Sequence, residues 1–232
     1  MSESIVERNI LTIVEPAIKL DPLEILDRES GTDNSDGEAM KDKPSLFSQL
    51  VPEIKVNGYD VSTEALNIFI LENNSFYPTL RLQFGDVDGL FTARFYPKDG
   101  DLIQVNIRSQ GDETTFKPIR IDFTIIDCKP VGGGGGAAAN QYLILGRMFV
   151  PKLFAESVEY EEDVTSFNAL LNIAEKMELG FASNVEDTAD QMTWTNPNDT
   201  TETWIQDIVA NSYLSDETFF TSYIDPYYYL TM

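Results

Sequence analysis

Four short segments of the chain alternate apolar and polar side chains with a period of two. They span residues 66–70, 80–84, 103–107 and 119–125. This period places one set of side chains on a core face and the other in water, which is typical of a half-buried β-strand. Less regular apolar segments predict three further strands, at residues 53–57, 90–96 and 141–149. Short strands separated by turn residues at about ten-residue spacing favour an antiparallel barrel or sandwich.

The last third of the chain changes to a helical period. Its apolar side chains recur at intervals of three and four residues, as they do on the buried face of an amphipathic helix. A first helix is predicted to begin after Thr165 or Ser166 as its cap and to stop at Gly180. A second helix is predicted to begin at Asp199, with Glu202 as its capping-box partner.

An aromatic β-hairpin is predicted after the second helix. Residues 219–224 and 227–232 form its strands, on either side of an Asp-Pro turn. We therefore expect an α+β fold. A β domain over residues 46–155 is followed by a segment over residues 156–232 that holds two helices and the start of a second β unit.

The first 26 residues form an extended N-terminal arm in this prediction. Pro16 and Pro22 prevent a long helix there. The arm has too little mass to bury its own apolar side chains, so it packs on its own domain or attaches to a neighbouring subunit. The arm residues that we assign to a partner interface are Ile10, Leu11, Val14, Ile18 and Leu20. Residues 27–45 are polar and rich in turn formers, which predicts a flexible linker.

The chain lacks the residues of the commonest catalytic sites. It has no histidine and a single cysteine, Cys128. These counts exclude, within this chain, a Ser-His-Asp triad, a Cys-His pair, a His-ligated metal site, a CxxC redox pair and a disulfide framework. Catalysis in this chain would therefore have to depend on carboxylates.

The acidic residues give no clear site either. A run of adjacent exposed acids at residues 156–163 cannot raise the pKa of one member selectively, as glycoside hydrolysis requires. Asp86 and Asp88 could hold a cation, but aspartate is ordinary in a hairpin turn. The glycine run Gly132–Gly136 lacks the Lys and Ser/Thr of a phosphate-binding loop, so we interpret it as a hairpin connection. We assign no catalytic, cofactor-binding or metal-binding residues and expect no enzyme.

The negative charge is concentrated in the last third. The whole chain carries a net charge of −23, and residues 153–232 hold 16 of its 39 acids with one base, Lys176. A nucleic-acid binder that grips phosphates is therefore disfavoured. Such a segment has a solvated acidic surface, faces a basic partner or repels an anionic one.

The hairpin tyrosines Tyr227, Tyr228 and Tyr229 are the second part of the predicted partner interface. Strand aromatics belong more often to a core or an interface than to a sugar-stacking platform. The final segment, YYYLTM, is apolar, and we expect it to be an edge strand that another chain, or a continuation of this one, would complete. The sequence shows no signal peptide and no membrane-spanning run, so we expect synthesis in the cytoplasm and no membrane insertion.

The order of these parts resembles the hub protein of contractile phage tail baseplates and the hub portion of type VI secretion spike proteins. The resemblance covers roughly residues 50–232. It rests on the GDLIQVNI strand, the acidic stretch before the first helix, Trp194-Thr195, the second helix and the aromatic hairpin. In that family a β-barrel, a helix-containing segment and a second barrel form a threefold ring between the tail tube and the central spike.

The resemblance implies a structural subunit of the virion, located in the tail baseplate. It implies a homotrimer whose neighbours are the tail tube, the central spike and the baseplate wedge proteins, with DNA present only in transit. An acidic wall would repel DNA phosphates along that path. Two alternatives stay open: a carbohydrate-binding module that uses the tyrosine-rich hairpin, and a cell-wall hydrolase that uses Glu161 or Glu162.

Overall fold

The computed structural model describes residues 10–20, 50–98, 100–109, 117–132 and 140–232. The predicted linker at residues 27–45 lies outside these residues. The first described strand is β1 (Thr12–Val14), which belongs to the N-terminal arm. The described residues are mostly antiparallel β-structure with few helices, which confirms the α+β class in its broad form.

Seven strands of the central region form one antiparallel sheet in the order β3-β2-β6-β7-β8-β5-β4. These strands are β2 (Leu50–Val56), β3 (Tyr59–Val61), β4 (Leu66–Glu72), β5 (Thr79–Asp86), β6 (Leu102–Ser109), β7 (Ile119–Pro130) and β8 (Asn140–Met148). Six of the seven strands predicted from alternation and apolar runs are confirmed. The sheet buries most of the predicted apolar set, since Val105, Ile121 and Phe123 have no exposed surface, but β4 has a register shift and leaves Ile70 39% exposed.

The predicted strand at residues 90–96 is wrong, because Phe91–Phe95 forms one turn of π-helix. The Asp86 carboxylate accepts hydrogen bonds from the backbone N–H groups of Phe91 (3.2 Å) and Thr92 (2.9 Å). These bonds satisfy donors that a helix start leaves unpaired. Asp86 therefore stabilises the first turn of a helix at a segment where the apolar side chains had predicted a strand.

Aromatic side chains cover the gap between the two ends of the large sheet. Tyr59 on the edge strand β3 contacts Phe84 of β5, with ring centroids 6.1 Å apart, and Phe91 of the π-helix at 5.4 Å. Its third neighbour is Phe95, at 5.8 Å. In the described part of the chain β3 and β4 are not hydrogen-bonded to each other, so the sheet is a curled half-barrel rather than the closed barrel that the resemblance implied.

Two predicted connections between neighbouring strands are present in the large sheet. Asn57 and Gly58 have φ values of 49° and 85° and join β2 directly to β3, as a type I′ hairpin turn requires. The predicted hairpin at the glycine run is also confirmed, because β7 and β8 pair antiparallel on its two sides. The residues of the run itself, 133–139, lie outside the described residues.

The acidic stretch before the first helix is a strand, which the sequence did not predict. Strand β9 (Glu156–Val164) pairs antiparallel with β11 (Met192–Thr200) to form a separate two-stranded ribbon. Between them lie the helix α1 (Ser166–Lys176) and the short strand β10 (Gly180–Ser183). The Trp194-Thr195 segment lies within β11.

Both predicted helices are present, with small differences at their ends. Thr165 caps α1, and its hydroxyl accepts a hydrogen bond from Asn168 N at 3.3 Å. The predicted stop at Gly180 is wrong, because Glu178 already adopts a left-handed conformation with a φ of 60°. Helix α2 (Thr201–Asn211) is capped by Thr200 rather than starting at Asp199, because β11 continues to residue 200.

The predicted hairpin is confirmed as β12 (Tyr223–Ile224) and β13 (Tyr229–Thr231). Strand β13 is not an edge strand, which corrects our expectation. It lies between β12 and β10 in a four-stranded sheet of order β1-β10-β13-β12. One continuous core of buried side chains extends from the large sheet through both helices into this sheet.

Candidate assembly interface

The N-terminal arm lies on the chain's own four-stranded sheet. Strand β1 pairs antiparallel with β10, and the pairing is extended by a hydrogen bond from Leu11 N to Ser183 O at 2.9 Å. Beyond the strand, the backbone N–H groups of Ala17 and Ile18 both donate to Glu178 O, at 3.0 and 2.8 Å. Of the two positions predicted for the arm, the structure therefore shows packing on its own domain.

A glycine makes this close packing possible. A Cβ atom at Gly180 would lie 2.7 Å from Val14 O of the arm and 2.6 Å from the Tyr229 ring. Real Cβ atoms do not approach other atoms so closely, so a side chain here would force β1 or β13 to move. The physical role of this glycine is contact between three strands, not the helix stop that we predicted.

The arm buries one set of its apolar side chains and exposes another. Ile18 and Leu20 pack against the core, which is consistent with their apolar character. The side chains of the arm that are between 44% and 58% exposed are Ile10, Leu11, Ile13 and Val14. Of the arm residues assigned to a partner interface, Ile10, Leu11 and Val14 therefore remain accessible, in β1 or directly before it.

The three hairpin tyrosines have different environments. Tyr228 is 3% exposed and Tyr229 is 8% exposed, so both side chains belong to the core of this chain. Tyr227 is half-buried, donates from its hydroxyl to Lys117 O at 2.9 Å and has the Lys117 ammonium 4.9 Å from its ring centre. A sugar platform needs exposed ring faces, and this arrangement does not offer them at Tyr228 and Tyr229.

Burial and hydrogen bonding determine the acidity of the two buried tyrosines. Burial and, to a smaller extent, the hydrogen bond to the Glu15 carboxylate together raise the pKa of Tyr229 to about 12. Burial also raises the pKa of Tyr228, although the N–H of Asp122 donates a hydrogen bond to its oxygen. Both hydroxyls therefore stay protonated at neutral pH.

Part of the acidic cluster is compensated. Lys176 on α1 lies 2.7 Å from a carboxylate oxygen of Glu161 and 3.2 Å from one of Glu159. The amide of Asn172 also donates to Glu161, at 2.9 Å. Burial alone would lower the pKa of Lys176, but the hydrogen bonds and charges of the two glutamates outweigh it and raise that pKa. The prediction of a solvated acidic face is therefore wrong at Glu161, whose side chain faces α1 and is 13% exposed.

A buried carboxylate, Asp190, joins the two helices. It accepts hydrogen bonds from the backbone N–H of Ser166 at 2.8 Å and from that of Tyr213 at 2.9 Å. The hydroxyls of Ser166 and Thr188 donate to it as well, at 2.7 and 2.8 Å. Burial alone would raise the pKa of Asp190, but these four hydrogen bonds lower it below its ordinary value.

The remaining candidate residues have structural explanations. Asp86 caps the π-helix, and hydrogen bonds from Thr92 and Phe91 overcome burial to lower its pKa. Among the described residues, no group of three His, Cys, Asp or Glu side chains is placed to hold a metal ion. Burial raises the pKa of the Cys128 thiol, in part offset by a hydrogen bond with Tyr96, so this thiol is not activated as a nucleophile. No described helix is long and apolar enough to cross a membrane.

Comparison with known proteins gives a match at the level of fold. No protein-family model matches the chain, and no curated protein sequence matches it. The 43 kDa tail protein of prophage MuSo2 from Shewanella oneidensis superimposes with a TM-score of 0.51 and 11% sequence identity, over 78% of this chain and 53% of that chain. The tail protein from Neisseria meningitidis MC58 gives a TM-score of 0.46 and 11% identity, over 78% of this chain and 49% of that chain.

The chain thus spans about half the length of the solved proteins that it matches. At 11% identity the likeness concerns the fold and assigns no individual residue. The finding agrees with the resemblance drawn from the sequence in its coarser form, because the MuSo2 protein is a prophage tail protein. The chain shares its fold with a prophage tail protein.

Proposed function

We propose that this chain is a structural subunit of a phage tail, and that it acts as a baseplate hub subunit between the tail tube and the central spike. The observation that carries the proposal is the fold shared with the MuSo2 tail protein over 78% of this chain. The order of the parts in the sequence supports the same assignment independently. We propose a non-enzymatic role, with location in the baseplate of the virion.

The accessible side of the arm supports an assembly role. Ile10, Leu11 and Val14 expose apolar surface in or directly before β1, which is an edge strand of its sheet. Edge strands with exposed apolar side chains favour pairing or packing with another chain. We propose that this arm edge contacts a neighbouring subunit, with a homotrimer of this chain, the tube, the spike and the wedge proteins as its candidates.

The charge of the last third supports a position along the path of DNA. Its one base, Lys176, is held by Glu159 and Glu161, so the exposed acids elsewhere in this segment lack a basic residue from the same segment. The exposed acids distant from that lysine's partners are Glu186, Asp187, Asp207, Asp216 and Glu217. A lumen lined by such carboxylates would repel phosphates and let DNA pass without binding.

The experiment for this proposal combines particle mass with localisation. The full chain is purified for native mass measurement, and labelled antibodies against it are applied to intact virions. The mass measurement should show three copies of the chain, either alone in solution or in a complex with a tail protein. The antibody label should appear at the baseplate end of the tail. Absence from virions would contradict a tail role, whereas label along the tube or at the head would contradict only the hub position.

A further inference from the structure

The acidic strand β9 has an inverted alternation. Val158 and Tyr160 point outward and are 75% and 66% exposed, whereas Glu159 and Glu161 point inward to α1 and Lys176. A strand with one solvated face normally places apolar side chains inward and charged ones outward. Here the two carboxylates face α1 and pair with a lysine and an asparagine at the surface, and the apolar side chains on the other side of the strand are left in water.

The neighbouring strand extends this apolar surface. In the register of the ribbon, Val158 lies opposite Pro197 and Tyr160 opposite Thr195, and both partners are exposed. Directly opposite residues share a face of an antiparallel pair. We call the surface of Val158, Tyr160, Thr195 and Pro197 the outer face. It is a contiguous set, unlike the single exposed apolar side chains that any protein surface carries.

Carboxylates border the outer face at both ends. Glu156 and Glu162 lie two residues before Val158 and two residues after Tyr160, so they share their side of the strand, and both are exposed. In the part of the chain that the structure describes, neither forms an ion pair. The one base of residues 153–232 is on the opposite side of β9. The outer face is therefore an apolar centre with an uncompensated anionic rim.

The apolar centre and the anionic rim together indicate which kind of partner could bind the outer face. A second copy that presented the same face would bring Glu156 and Glu162 close to their own equivalents, which is repulsive. Nucleic acid is disfavoured by the same charge. A protein surface with apolar side chains ringed by Lys or Arg would bury Val158 and Tyr160 and pair with both glutamates.

We propose that the outer face is the docking surface for a basic protein surface with an apolar centre, supplied by a different protein of the tail. The inference deepens the proposed function, on which it rests for the source of the partner. The apolar centre supplies the buried area, and the rim charges supply orientation and exclude a second copy.

The test uses a photo-crosslinking amino acid at position 160 of the full chain, produced in cells that assemble the tail. The same amino acid at position 219 is the matched control, because Phe219 is 92% exposed but lies on a loop away from the ribbon. The crosslinked peptide is sequenced by mass spectrometry. We expect one tail protein whose crosslinked segment is rich in Lys and Arg, with a yield about tenfold above the control position.

Charge reversal completes the test. Replacing both rim glutamates, Glu156→Lys and Glu162→Lys, should reduce the crosslink at least about tenfold, because the rim would then repel a basic surface. Both side chains are exposed, so the thermal midpoint should stay unchanged. A crosslink to a second copy, a crosslink to an acidic or neutral segment, or an unchanged yield on charge reversal would each overturn the inference.

The failure of this inference is distinguishable from the failure of the proposed function. If the chain is found in tails but position 160 gives no more product than position 219, the docking surface is refuted and the tail role stands. If position 160 crosslinks to a basic segment of a protein that is not part of a virion, the docking chemistry stands and the tail role is refuted.

Discussion

The hydroxyl oxygen of Tyr228 accepts a hydrogen bond from the backbone N–H of Asp122 at 2.9 Å. The two residues are 106 positions apart in the chain. Tyr228 lies in the turn of the C-terminal hairpin, and Asp122 lies in the first half of β7, so this bond attaches the hairpin to the large sheet. A second contact, from Ile224 N to Phe76 O at 2.6 Å, joins the end of β12 to the loop between β4 and β5.

Tyr228→Phe should destabilise the fold by about 1–2 kcal/mol, because the buried N–H of Asp122 loses its acceptor. Urea unfolding followed by tryptophan fluorescence measures this difference. Tyr227→Phe is the control, since its hydroxyl bond to Lys117 O is exposed and should contribute about 0.5 kcal/mol or less. Equal losses in the two variants would contradict the account of how the hairpin is attached.

Gly180→Ala should displace the arm. The new Cβ would lie 2.7 Å from Val14 O, a backbone atom that can move only if β1 leaves its place. Limited proteolysis should therefore cleave the arm of the variant at least about tenfold faster than that of the native chain. Asn184→Ala, at an exposed position just after the same strand, should leave the cleavage rate unchanged. Protection of the arm in both variants would refute this packing.

Asp190→Asn should cost about 2–3 kcal/mol at neutral pH, because an amide cannot accept all four hydrogen bonds made to the carboxylate. The pKa of Asp190 is lower in the folded state than in the unfolded state. The carboxylate therefore contributes fully to the free energy of unfolding above its unfolded-state pKa of about 3.9, and this contribution is lost as the pH falls through the folded-state pKa. The penalty of the variant should therefore shrink below about pH 4.

The measurement is the free energy of unfolding at a series of pH values for both proteins. Asp207→Asn, which changes an exposed carboxyl on α2, is the control and should show a small difference without this pH dependence. A penalty for Asp190→Asn that is constant down to about pH 2 would show that the carboxylate does not carry these bonds in ionised form.

Lys176→Met should lower stability by about 0.5–1 kcal/mol at low salt, because Glu159 and Glu161 then repel each other without a cation between them. At about 0.5 M salt the loss should become smaller, since exposed charges are screened. Lys129→Met provides the comparison, because that lysine pairs with a single exposed carboxylate, Asp127. A loss that does not respond to salt would argue against an electrostatic role.

Most strands of the large sheet could be predicted, because their side chains alternate or form a short apolar run over a half-buried surface, whereas β3 is three residues long and shows neither pattern. The pattern at residues 103–107 and 119–125 describes β6 and β7, whose inward side chains are fully buried. The helices could be predicted for the same kind of reason, since α1 and α2 each present one apolar side to the core. Their exact starts were less certain, because Ser, Thr and Asp neighbours can all cap a helix.

Strand β9 was not predicted, because only two apolar side chains, Val158 and Tyr160, alternate within a run of acids, and its partner β11 contains Pro197 and several turn formers. Even if read as a strand, this alternation would have placed Val158 and Tyr160 on the buried side, whereas the structure exposes them. The ion pairs with Lys176 that make this arrangement possible depend on a helix 15 to 17 residues away. In the sequence, the one base of this acidic segment, Lys176, was the only indication that some of the carboxylates form ion pairs.

The parts of the candidate interface were predictable to different degrees. The apolar arm was recognisable from its composition. Its pairing with β10 depends on the absence of a side chain at Gly180, and this requirement follows only from the packing of three strands in the folded structure. Tyr228 and Tyr229 were predicted as interface residues, yet Tyr229 lies in the parallel pairing of β10 with β13 and the Tyr228 hydroxyl is bonded to β7. Parallel pairing between segments distant in sequence leaves no local pattern.

The most direct test of the central claim is an electron cryomicroscopy reconstruction of the tail tip from virions that contain this chain. The account predicts density for the half-barrel and the β9–β11 ribbon at the junction of tube and spike, repeated three times around the axis. It also predicts that a neighbouring protein covers Val158 and Tyr160. A tail tip without this fold would contradict the account.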